Sequence, residues 1–102
     1  MEQPTDKQLA EWGREGQRLG FVDIPQSCTV IDRGKGCVWG CILSGMYGSI
    51  QEAEDTYWNH NTGFVGLRRL TGVSLERIQD ISDDHEFGGM SINVILTKME
   101  QS

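Results

Sequence analysis

Gly36-Cys-Val-Trp-Gly-Cys-Ile-Leu-Ser-Gly-Met-Tyr-Gly-Ser-Ile50 contains no charged side chain, in a chain of 102 residues that carries twenty-four of them. A stretch of this kind gains most by leaving water, so the rest of a small protein is expected to pack around it. At helical spacing Gly36, Cys37, Gly40, Cys41, Ser44 and Gly45 fall on one side, and Val38, Trp39, Ile42, Leu43, Met46 and Tyr47 on the other. The pattern predicts an all-α fold of five or six short helices around a central uncharged helix at about 36–47. One domain is expected over 1–102, with a loop region at 21–35.

N-terminal to this run, Leu9, Trp12, Gly16 and Leu19 recur at 3-4-3 spacing, which predicts a helix over 5–19. Thr5 or Asp6 can cap its start, and Gly20 stands where a left-handed residue ends it. Gly13 and Gly16 weaken such a helix by about 1 kcal/mol each relative to alanine, which points to another backbone passing close by. Within 21–35, Ile24-Pro25 reads as extended and Asp32-Arg33-Gly34-Lys35-Gly36 as a turn. A hairpin pairing Cys28–Asp32 with Cys37–Gly40 stays open as an alternative, although no further run reads as a third strand.

C-terminal to the run, Ser49-Ile-Gln-Glu52 is a capping box opening a helix with Ile50, Ala53 and Tyr57 inward. Asn59–Gly63 breaks that helix. Phe64, Leu67 and Leu70 mark a short amphipathic helix with Arg68 and Arg69 outward and Gly72 at its end. Ser74 caps a helix with Leu75, Ile78 and Ile81 inward, and Asp83–Gly89 reads as a loop. Ser91 caps the last helix, on which Ile92, Ile95, Leu96 and Met99 form one stripe.

Fifteen acids against nine bases give a net charge of −6. The excess is uneven: net −1 through Gly48 and net −5 from Ser49 onward. Affinity for nucleic acid or an anionic membrane rests mostly on clustered Lys and Arg, so direct binding to either is not expected. A basic protein, or one that itself holds nucleic acid, suits the charge better. Of the three cysteines, Cys37 and Cys41 lie four apart, where helical Cβ directions suit a disulfide poorly. Reduced, buried thiols in a cytoplasmic protein follow. Met1-Glu2-Gln3-Pro4 does not read as the start of a signal peptide, and the apolar run falls short of the ~20 residues of a membrane span.

Cys37-Val-Trp-Gly40-Cys41-Ile42, the capped segment Ser49 to Tyr57, Leu67 to Leu70, Ser82-Asp83-Asp84 and Ser91 to Met99 follow one another in order. Over about 35–100 this order loosely resembles a widespread group of small helical proteins of bacteria and phages. That group shows a Cys-x-x-Gly-Ala helix, a capped helix, a Leu-rich helix, an Asp-Asp loop and a final helix. Cys41 replaces the group's alanine. The resemblance implies a helical fold and a phage or mobile-element setting, and no activity.

Three constellations can carry chemistry. Cys37 at a helix start has the placement that lowers a thiol pKa, and a small cysteine hydrolase would pair it with His85, or with His60. Cys28, Cys37, Cys41, His60 and His85 offer soft ligands, but Cys-x3-Cys with isolated histidines lacks the knuckle spacing of zinc. No metal or cofactor is expected. Glu52, Glu54, Asp55, Asp80, Asp83, Asp84 and Glu86 lie in stretches (49–67 and 78–97) without Lys or Arg. Side by side, these stretches would make a negative face able to imitate a phosphate backbone, as inhibitors of restriction or CRISPR nucleases do. The reading favoured here is a non-catalytic cytoplasmic interaction protein. Its partner-binding residues would be Glu52, Asp55, Trp58, Asp83, Asp84 and Glu86, with Tyr57 beside them. The nucleic-acid mimic and the hydrolase are the alternatives.

Overall fold

The computed structural model describes residues 3–102, so Met1 and Glu2, which entered the reading of the N-terminus, lie outside the described residues. Six helices carry most of the chain: α1 (Asp6–Arg18), α2 (Val38–Tyr47), α3 (Ile50–Trp58), α4 (Gly63–Thr71), α5 (Leu75–Glu86) and α6 (Ile92–Glu100). Among the described residues no helix is long and apolar enough to cross a membrane. Between α1 and α2 lie three two-residue strands, β1 (Val22–Asp23), β2 (Ile31–Asp32) and β3 (Lys35–Gly36).

Every residue from Cys37 to Ser44 is buried, so the first part of the uncharged run is enclosed on its small and large faces alike, while Gly45 to Ile50 are partly exposed. The large face supplies Val38, Trp39, Ile42 and Leu43, all fully buried, to a core that also takes Leu9, Leu67, Ile78 and Leu96 from four other helices. Burying side chains of this size stabilises by about 1.5–3 kcal/mol each. The indole Nε1 of Trp39 donates to Ile78 O at 3.1 Å, which satisfies the one polar atom of that side chain and ties α2 to α5.

The small face meets α1. A Cβ on Gly45 would collide with the carbonyl of Trp12, and one on Gly16 with the carbonyl of Cys41. The two helices therefore touch backbone to backbone, closer than the usual 8–10 Å between helix axes allows. The thiol of Cys41 donates to Gly13 O at 3.1 Å across the same crossing. Gly13 itself faces the side chain of Leu96 in α6. Gly16 thus meets the passing backbone that its cost in helix propensity suggested, whereas Gly13 meets a side chain instead.

The all-α expectation needs correction over 21–36. β3 pairs antiparallel with β2 and parallel with β1, giving the strand order β1-β3-β2. Asp32 and Lys35 face each other across Arg33 and Gly34, whose φ values of 55° and 78° make the mirror-image turn that suits a hairpin's twist. The hairpin is real, but its second strand is Lys35–Gly36; Cys37–Gly40 is the start of α2. The pairing ends where the amide of Cys37 donates to Thr29 O at 3.0 Å and the helix takes over. β1 is the third strand, too short and too close to proline to announce itself.

Thr5, Ser49, Ser74 and Ser91 cap α1, α3, α5 and α6 through their hydroxyls. At Ser49 only half of the capping box forms: its hydroxyl accepts from Glu52 N at 3.2 Å, while its own amide donates to Ser44 O. The expected loop at Asp83–Gly89 is largely helix, since α5 runs on through Glu86. It is held there because His85 faces inward and is fully buried. On the outer side Arg14 of α1 clamps α6, gripping both carboxylate oxygens of Glu100 at 3.0 and 2.8 Å and reaching Thr97 at 2.9 Å.

Gly45→Ala is expected to cost about 2–3 kcal/mol or more in urea unfolding, because the new Cβ meets backbone that no rotamer change can move. Gly20→Ala, at φ 101° in open space, is expected to cost only about 1 kcal/mol. Equal costs at the two positions would refute the close crossing.

Candidate functional site

The thiol chemistry is decided at the start of α2. Cys37 is the N-cap residue, extended at φ −93°, and its side chain makes no capping hydrogen bond. Burial pushes its pKa up from 9.0 to about 11, against a smaller downward pull from the amides of Trp39 and Gly40. Desolvation therefore outweighs the helix-start effect expected from sequence. Burial likewise pushes Cys41 from 9.0 to about 12. Cys28, expected to be buried with them, is exposed.

His85 sits elsewhere in the network. Its Nε2 lies 2.7 Å from Oδ1 of Asp23 in β1, and the other carboxylate oxygen of Asp23 accepts from Ile92 N at 2.8 Å. One carboxylate thus joins β1, α5 and the first turn of α6. An ionised Asp23 accepts from Nε2, and the buried Nδ1 has no partner among the described residues. No hydrogen bond links His85 to Cys37. His60 is exposed, with φ 81° in the turn after α3. Among the described residues no three His, Cys, Asp or Glu side chains gather as a metal-binding group.

The acidic residues divide between two helices. Glu52 and Asp55 are exposed on α3, where Asp55 accepts from Gln51 Nε2 at 2.9 Å. Glu54 accepts from the amide of Gly34 at 3.2 Å and so holds the hairpin turn against α3. None of these three carboxylates is in a salt bridge with a described residue. Asp83, Asp84 and Glu86 are half-buried on α5, and Asp84 faces Lys98 of α6 at 3.6 Å. α3 packs on α2 and β2, whereas α5 packs on α4, α2 and α6. The two acidic runs are therefore carried on helices without substantial packing between them.

Trp58, the last residue of α3, is 54% exposed, while its neighbour Tyr57 is buried at 5%. The Trp58 Nε1 donates to Ile31 O at 2.9 Å, so the ring is fixed over the edge of β2. The Tyr57 ring stands at 83° to it with centroids 5.3 Å apart, and the Tyr57 hydroxyl accepts from Gly63 N at 2.9 Å. Phe64 (37%) and Val65 (52%) are exposed just beyond the turn that follows. A shallow groove of about 220 Å³ lies elsewhere, lined by Asp6, Ile81, Asp84, Ile95, Lys98 and Met99 with Ser102. Its carboxylates are already matched: Asp6 by Arg77 at 2.7 Å, and Asp84 by Lys98.

No protein-family model, curated protein or solved structure matches this chain.

Sequence reasoning missed Asp23, the residue that organises His85, because nothing marked Val22–Asp23 as a strand. It also missed Glu54 as the support of the hairpin, for which an acid near a glycine turn gives no signal.

Native protein treated with a thiol reagent near neutral pH is expected to label at Cys28 only, with Cys37 and Cys41 reacting after denaturation. Rapid native labelling at Cys37 would contradict the burial argument. The raised thiol pKa values also fix a pH dependence. Their contribution is complete below pH 9.0, the ordinary thiol value, and is lost as pH climbs toward about 11 and 12. Urea stability is thus expected to fall across that window, and less steeply in Cys37→Ala.

Proposed function

We propose that this chain is a non-catalytic accessory protein of the cytoplasm that binds a basic protein partner through its acidic C-terminal half, with α3 as the principal surface. One observation carries the reading. Exposed carboxylates that no lysine or arginine of the described chain neutralises share α3 with a half-exposed tryptophan held in one orientation. Unpaired charge at an interface favours an opposite partner and speeds its approach. A rigid aromatic loses little entropy on binding and is the side chain most often dominant at interfaces. Three unpaired cysteines, one of them exposed, suit a reducing compartment. The small size and the order of helical motifs suit a phage or mobile-element origin.

The alternatives have less support. A phosphate-backbone mimic wants one long negative track, whereas the acidic runs lie on helices that do not pack together. A hydrolase wants an accessible thiolate, whereas Cys37 is buried and His85 is engaged by Asp23.

Affinity capture from host extract tests the proposal. A basic protein is expected to be retained at low salt and released as ionic strength rises. The double variant Glu52→Lys with Asp55→Lys is expected to reduce capture by about tenfold or more. Asp83→Lys with Asp84→Lys is expected to reduce it less, since Asp84 already faces a lysine. Capture indifferent to both variants would refute an acidic interface.

A further inference from the structure

The surface around Trp58 has a narrower specification than acidity. We infer that it receives an arginine side chain of the partner, stacked on the exposed indole. The inference rests on the functional reading above and names the partner chemistry at that same surface.

Two features converge on a cation at this place. First, Trp58 is immobilised: its Nε1 is spent on Ile31 O at 2.9 Å and its ring is braced edge-on by Tyr57. The indole therefore has no free donor to offer a ligand. It offers a π face, whose negative potential attracts cations, guanidinium above all. Second, Glu54 and Asp55 precede Trp58 by four and three positions on the same helix, which sets them along its flank. Glu54 is held by Gly34 N, and neither carboxylate is in a salt bridge with a described residue.

Arg33 and Lys35 of the hairpin are the competing cations of the chain itself; Glu54 grips the turn between them through the amide of Gly34, and both side chains are exposed.

The test is a titration of the full chain with three synthetic peptides, followed by the nitrogen–proton spectrum of its tryptophan side chains. The peptides share a glycine and leucine framework and carry arginine, lysine or uncharged citrulline at one position. Arginine peptide is expected to shift the Trp58 indole signal while those of Trp12 and Trp39 stay in place. Affinity is expected to fall by about tenfold or more for citrulline, and less for lysine. It is expected to fall similarly in Glu54→Gln with Asp55→Asn, which keeps the hydrogen-bond acceptors and removes the charge. Citrulline binding as tightly as arginine, shifts that bypass Trp58, or no binding of the arginine peptide would each overturn the inference. If this occurs while capture of a basic protein still depends on Glu52 and Asp55, the functional reading survives and the arginine specification alone fails. Loss of both overturns both.

Discussion

The architecture depends on two helices that touch through their backbones. Where α1 crosses α2, Gly16 lies on the carbonyl of Cys41 and Gly45 on that of Trp12, with the Cys41 thiol donating across the gap to Gly13. Side chains larger than these would push the helices apart and admit water to the longest uncharged segment of the chain. Close approach lets the first two turns of α2 be covered on every side.

From that crossing outward, each element is fixed by what α2 has left to bury. α5 meets its large face through Trp39 and Ile78, and α6 fills the hollow beside Gly13 with Leu96. The sheet covers the N-terminal end of α2, where a Cβ on Gly40 would strike the carbonyl of Val30. β2 is then an edge strand, and edges with free carbonyls invite unwanted pairing. Trp58 spends its indole N–H on one of those carbonyls. The feature that makes Trp58 available as a rigid contact is thus a by-product of protecting the sheet. Asp23 plays the equivalent part on the opposite edge strand, joining β1 to α5 and α6.

Much of this was legible in the residues. The buried segment followed from the absence of charge in 36–50, and the helix starts from Thr5, Ser49, Ser74 and Ser91. What escaped had no local signature. Two-residue strands carry no periodicity, so β1 was indistinguishable from loop, and β2 was read only within an alternative hairpin that paired it with Cys37–Gly40 instead of Lys35–Gly36. Asp83–Glu86 looked like a solvated loop because the charge run hid His85, whose inward position depends on a carboxylate sixty-two residues away. Cys37 was given a helix-start effect that its burial reverses. At the candidate interface, the exposed acids of α3 were named from charge alone, but the orientation of Trp58 depends on a long-range bond to Ile31 that sequence spacing does not reveal.

Native-state hydrogen exchange tests the central crossing most directly. If α2 is enclosed through its contact with α1, amides of Gly40 to Ser44 exchange only when the whole molecule unfolds, with protection equal to the global stability. Amides near the α3–α4 turn exchange sooner. Exchange of Gly40 to Ser44 through a local opening, while α6 and α5 remain protected, would contradict the account.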